Sequence, residues 1–122
     1  MLQAYSTAAT FAANAAVPFN NVKIQKGCTA VLEAPATIAL NKAGVYCVRC
    51  DAQPAAETTI QLYRDGVAQP ETERTGTELG FETLVQVDKN NTNCCCSSPV
   101  RLQVVNTTAT TGLINVVVTK IC

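Results

Sequence analysis

Seven cysteines among 122 residues hold most of the reactive chemistry of this sequence: Cys28, Cys47, Cys50, Cys94, Cys95, Cys96 and Cys122. Their number is odd, so an oxidising setting leaves at least one thiol free or tied to another chain, while a reducing cytosol keeps all of them as thiols. Cys47-Val48-Arg49-Cys50 has the spacing of redox and zinc motifs. It falls in a strand-like run, where positions three apart point to opposite faces, so the two sulfurs neither chelate one ion nor meet each other. In Cys94-Cys95-Cys96, adjacent Cα atoms stand about 3.8 Å apart whereas disulfides prefer roughly 4.4–6.8 Å, so neighbours in the triplet should not pair. Three roles stay open for it: disulfides to Cys28, Cys122 or another subunit, a thiolate metal site shared around a symmetry axis, or plain small apolar residues in a loop.

Other chemistry is poorly equipped. Histidine is absent, which removes the commonest general base, the Ser-His and Cys-His nucleophile pairs and the commonest metal ligand. Glu71, Glu73, Glu78 and Glu82 gather around one turn, yet their spacing fits neither an EF-hand loop nor a phosphate-cradling loop, and they read as a solvated face. No enzyme activity and no cofactor are expected. Nine basic residues balance nine acidic ones, so no positive field attracts nucleic acid or an anionic membrane. The scattered aromatics make no stacking platform for single strands. No apolar run reaches the roughly 20 residues of a membrane span, and the N-terminus lacks the pattern of a signal peptide. Asn90-Asn91-Thr92 and Asn106-Thr107-Thr108 are formal glycosylation acceptors, relevant only to a secreted eukaryotic protein.

The elements that position these residues read as strands. Thr58 to Tyr63 alternates and runs into Asp65-Gly66, the pair that a two-residue type I′ hairpin favours because both central residues need positive φ. Gly44 to Cys50 precedes it as a strand, and Val67 to Arg74 should return from it. Leu79, Phe81, Thr83, Val85 and Val87 alternate with polar partners over a long half-buried strand, and Val100, Leu102 and Val104 repeat the pattern. Shorter apolar pieces lie at Val22–Gln25, Val31–Leu32 and Ile38–Leu40. Residues 1–16, rich in Ala and Thr, read as an N-terminal arm or first strand ahead of a domain spanning 17–122. In the final strand, Leu113 to Ile121, the block Val116-Val117-Val118 leaves no polar side. In a two-sheet fold, that second apolar face is best covered by a neighbouring subunit. Short strands at regular intervals with turns between them specify an all-β sandwich, barrel or jelly roll. Charged residues make up only 15% of the chain, below the roughly 25% usual for soluble domains, which again suggests surface covered by partners.

The glycine-led strand with a tyrosine, the acidic-Gly turn and the Pro-terminated return resemble the middle of the complement/tumour-necrosis-factor jelly roll, whose domains assemble as trimers. More narrowly, NKAGVYCVRC (41–50), ETTIQLYRDGVAQP (57–70) and CCCSSPVRLQVVN (94–106) are similar to small virion proteins of phages that infect Gram-positive bacteria, over roughly Val17 to Cys122. The resemblance implies a two-sheet antiparallel jelly-roll sandwich that forms a homotrimer, and the apolar block of the final strand makes Val116, Val117 and Val118 its candidate contact residues. It implies a structural protein, a capsid decoration or head-fibre protein, made in the host cytoplasm and located on the virion among capsid proteins. A receptor- or glycan-binding head of a fibre or spore-surface protein is the alternative. In a finished particle, at least one of Cys94, Cys95 and Cys96 is expected to be oxidised to Cys28, Cys122 or a neighbouring subunit after lysis.

Overall fold

The computed structural model describes residues 1–27, 29–87 and 100–121, with the backbone alone for 8–11. Its strands are β1 (Leu2–Phe11), β2 (Ala15–Ala16), β3 (Asn21–Gln25), β4 (Ala30–Ala34), β5 (Thr37–Leu40), β6 (Gly44–Pro54), β7 (Thr58–Arg64), β8 (Val67–Ala68), β9 (Arg74–Gly76), β10 (Leu79–Val87), β11 (Val100–Asn106) and β12 (Thr110–Lys120). They form two antiparallel sheets. One is five-stranded in the order β10-β6-β12-β1-β3; the other is seven-stranded, with the path β4-β5-β11-β7-β8, β2 pairing with β11 and β9 with β7. This is an all-β jelly-roll sandwich.

Alternation builds the core. Leu79, Phe81, Val85 and Val87 of β10 are buried while Gly80, Glu82, Leu84 and Gln86 between them are exposed. Tyr46, Val48 and Cys50 of β6 and Ile114, Val116 and Val118 of β12 complete one inner face at 0% exposure. Opposite them lie Ile60 and Leu62 of β7, Leu102 and Val104 of β11, and Ile38 and Leu40 of β5. Burying each large side chain contributes about 1.5–3 kcal/mol against exposure. Polar groups that enter this core are paired: Asn106, fully buried, donates from Nδ2 to the Thr108 carbonyl at 2.6 Å and accepts from Thr58 Oγ1. Such pairing removes the penalty of an unsatisfied buried group.

The start of the chain lies within the sheet. β1 sits between β12 and β3, turning Leu2, Ala4 and Ser6 inward and Gln3 and Tyr5 outward. Small Ala and Ser on its inner side are why its sequence carries so little periodic signal. At the central hairpin, Arg64 pairs with Val67, and Asp65 and Gly66 have φ of 50° and 83°, the positive values that a type I′ turn needs. Asp65 also binds the neighbouring strand, its Oδ1 accepting the Arg101 N–H at 2.9 Å and its N–H donating to the Arg101 carbonyl at 2.8 Å.

The return strand expected over Val67–Arg74 is interrupted. β8 holds only two residues, a 3-10 turn occupies Pro70–Thr72, and pairing with β7 resumes at β9. Proline fixes φ and offers no N–H to a ladder, so the strand breaks there. Thr72 then takes the place of a strand partner: its buried Oγ1 accepts the Leu62 N–H at 2.8 Å and donates to the Gln69 carbonyl at 2.7 Å.

Candidate functional site

The outer face of the five-stranded sheet is the surface on which the sequence reading centres. Strand pairing sets Val117 opposite Gln3 on one side and Arg49 on the other, Asn115 opposite Tyr5 and Asp51, and Thr119 opposite Cys47. Along β12 the outward residues Leu113, Asn115, Val117 and Thr119 are half-buried, whereas Val116 and Val118 are fully buried in the core. This corrects the valine block as a contact surface. Val116 and Val118 already face the opposing sheet, and of the three only Val117 looks outward, because alternation along a strand sends neighbours to opposite faces.

The face is divided along its length. Toward the Gly44 end stand Val45 and Cys47, with Leu84 and Ile121 exposed at 62% and 55%, and Val117 stands midway, level with Arg49. Toward the other end stand Arg49, Asp51, Glu78 and Glu82. Sequence reasoning passed over Leu84, although a signal was present: it is the one large apolar residue in the outward register Gly80, Glu82, Leu84, Gln86 of β10.

The cysteines separate in the same way. Cys50 lies in the core, where burial pushes its thiol well above the usual range and the neighbouring Asp51 charge adds to the rise. Cys47 lies half-buried on the outer face, opposite Thr119 and Leu84. The Cys-x-x-Cys pair is therefore split across the sheet. Cys28, Cys94, Cys95, Cys96 and Cys122 lie outside the described residues. At the Gly44 end of the sandwich, Val87 pairs with Gly44, Ala30 and Val100 both pair with Leu40, Asn41 N–H donates to the Thr29 carbonyl, and Ile121 N–H to the Val45 carbonyl. Among the described residues no group of three or more metal-ligating side chains assembles.

The acidic residues stand on the surface. Glu71, Glu73, Glu78 and Glu82 are all exposed, and Glu71 Oε2 accepts from Thr83 Oγ1 at 3.4 Å. Arg74, which sequence reading passed over, reaches from β9 to the edge of β10, donating from Nε to the Gly80 carbonyl at 3.1 Å. Asn106 is unavailable as a glycan acceptor, since its amide is buried and engaged; Asn90 lies outside the described residues. No helix among the described residues is long and apolar enough to cross a membrane.

No family model and no curated protein matches the chain. Sixteen chains of solved structures do match. One is the crystal structure of rabbit GITRL, with a TM-score of 0.55 and 12% identity, covering 93% of this chain and 94% of that one. At that identity the likeness speaks to architecture alone, and it agrees with the strand order: the chain has a jelly-roll fold of the tumour-necrosis-factor type.

Proposed function

We propose that this protein is a non-enzymatic structural component of a bacteriophage virion, a homotrimer that decorates the capsid or forms a head fibre. One observation carries the assembly: the Gly44 end of the outer face leaves Leu84 and Ile121 more than half exposed beside Val45 and Cys47, with Val117 midway along the face. Leaving such side chains in water forfeits about 1.5–3 kcal/mol each, and a second and third copy of the chain would cover them. The jelly-roll fold supports the trimer, and the motif resemblance supports the virion. The protein would be made in the host cytoplasm and seated on capsid proteins, with neither nucleic acid nor membrane as partner.

Two measurements test this. Light scattering should give three chains per particle at micromolar concentration, and a stable monomer would end the trimer reading. Mass spectrometry of purified virions should detect the protein in stoichiometric amount; its absence from particles would end the virion reading. A receptor- or glycan-binding head is the second reading, favoured by a polar basin at the opposite end of the same face.

A further inference from the structure

At the end of the outer face away from Gly44 lies an open basin of about 470 Å³, lined by Arg49, Asp51 and Gln53 in one row of β6 and by Glu78, Leu79 and Gly80 beside it. Gly80 shapes it. Glycine in the interior of a strand costs stability and often marks the close approach of another group or a ligand, and Gly80 is not among the positive-φ glycines, so its backbone does not demand the residue. A Cβ there would stand 3.0 Å from Asp51 Oδ1. The missing methyl is what lets the Asp51 carboxylate lie over β10. Arg74 holds the floor from the other side, its Nε donating to the Gly80 carbonyl at 3.1 Å and its Nη1 to the Glu71 and Glu73 carbonyls at 3.0 and 2.8 Å.

The walls remain available. Arg49 Nε stands 3.6 Å from Asp51 Oδ2, with the two side chains 64% and 50% exposed, a pair whose contribution to stability is small at that exposure. Arg49 offers donors, Asp51 acceptors and Gln53 both, at alternate positions on one side of β6. Arg49 lies against Asp51 and Glu78 adds a second carboxylate, so an anion is disfavoured, and an apolar ligand strips water from all of them. A hydroxyl both donates and accepts, so a neutral polyhydroxyl compound can engage each group without adding charge.

We propose that this basin binds a neutral saccharide. The site deepens the glycan-binding reading and borders the apolar end on which assembly rests, where Arg49 pairs with Val117. The test is saturation-transfer NMR of the whole chain with glucose, galactose and N-acetylglucosamine as probes at millimolar concentration. Transfer to at least one sugar is expected, and Asp51→Asn should weaken it about tenfold, the usual effect of losing a hydrogen bond to a charged group. Gln53→Ala should weaken it too, which keeps the test open if a bulky closure such as Gly80→Val does not fold. Leu84→Asp, at the other end, should leave sugar binding intact even where it dissociates the assembly, so failure of one idea is distinguishable from failure of the other. No transfer to any of the three sugars, transfer indifferent to Asp51→Asn, or amide shifts around Asp51 caused by calcium or inorganic phosphate and not by sugar would each overturn the assignment.

Discussion

Gly112→Ala offers a direct test of the way the two longest strands of the five-stranded sheet meet. Gly112 pairs with Pro54 of β6 and, on its other side, with Ala9 of β1. A Cβ at Gly112 would stand 2.4 Å from the Gln53 carbonyl oxygen and 2.6 Å from Pro54 Cα. Both atoms belong to the main chain, so no side chain can swing aside; β6 and β12 must part. Forcing a methyl into such a place costs about 1–3 kcal/mol, and at this chain length about 4 °C of melting temperature is lost per kcal/mol, a fall of roughly 4–12 °C. Gly80→Ala is the internal control, because its obstacle at 3.0 Å is the tip of the Asp51 side chain, which can rotate away. Removing glycine flexibility from the unfolded chain even favours that variant by about 0.4–1 kcal/mol. Urea midpoints and thermal melts of both variants beside the parent protein read the difference. If Gly112→Ala melted with Gly80→Ala, the close approach of β12 to β6 would be wrong.

Val118→Asp, which puts a charge into the core, should unfold the chain by circular dichroism, whereas Val117→Asp and Leu84→Asp should leave a folded monomer by light scattering; dissociated but folded Val118→Asp would contradict the inward direction of that residue. Gly66→Val should lose about 1–2 kcal/mol in denaturant titration, because a β-branched residue tolerates a φ of 83° poorly. Cys50 should resist thiol reagents until the protein unfolds, while Cys47 reacts in a dissociated variant and is protected in the assembly. Non-reducing electrophoresis and thiol counting of purified particles should show at least one of Cys94, Cys95 and Cys96 joined to Cys28, Cys122 or another subunit; seven free thiols per chain would remove that idea.

The fold class was legible because alternation is a local property. The run Leu79 to Val87 alone announces an inner and an outer face, and the two-sheet architecture follows from several such runs separated by turns. What the sequence hid was set by contacts distant in the chain. The valine block looked apolar on both sides, yet only the opposing sheet decides that Val116 and Val118 are core while Val117 is surface. The return strand failed at Pro70, where a proline already argued against continuity, but the Thr72 hydroxyl that replaces the missing strand partner can be seen only once β7 lies beside it. β1 was faint because Ala4 and Ser6 fill an interior position with little bulk. Arg74 and Gly80, 6 residues apart, read as the end of the return strand and an outward position of the next; their contact gives the basin its floor.

The order of strands in the sheet also governs when this protein can exist. β12, the last strand in sequence, occupies the middle of the five-stranded sheet, between β6 and β1. Until residues 110–120 have left the ribosome, β10-β6 and β1-β3 are two separate ribbons, each presenting an unpaired edge to any strand that meets it. Synthesis runs at about 5–20 residues per second, so the nascent chain spends seconds in that divided state, and closure of the sheet must wait for β12. A chain stopped short of Thr110 cannot close the sandwich and is left to aggregate or be degraded. The topology thus acts as a proofreading step at the level of whole molecules: only copies that carry the central strand reach the folded state from which a particle could be built.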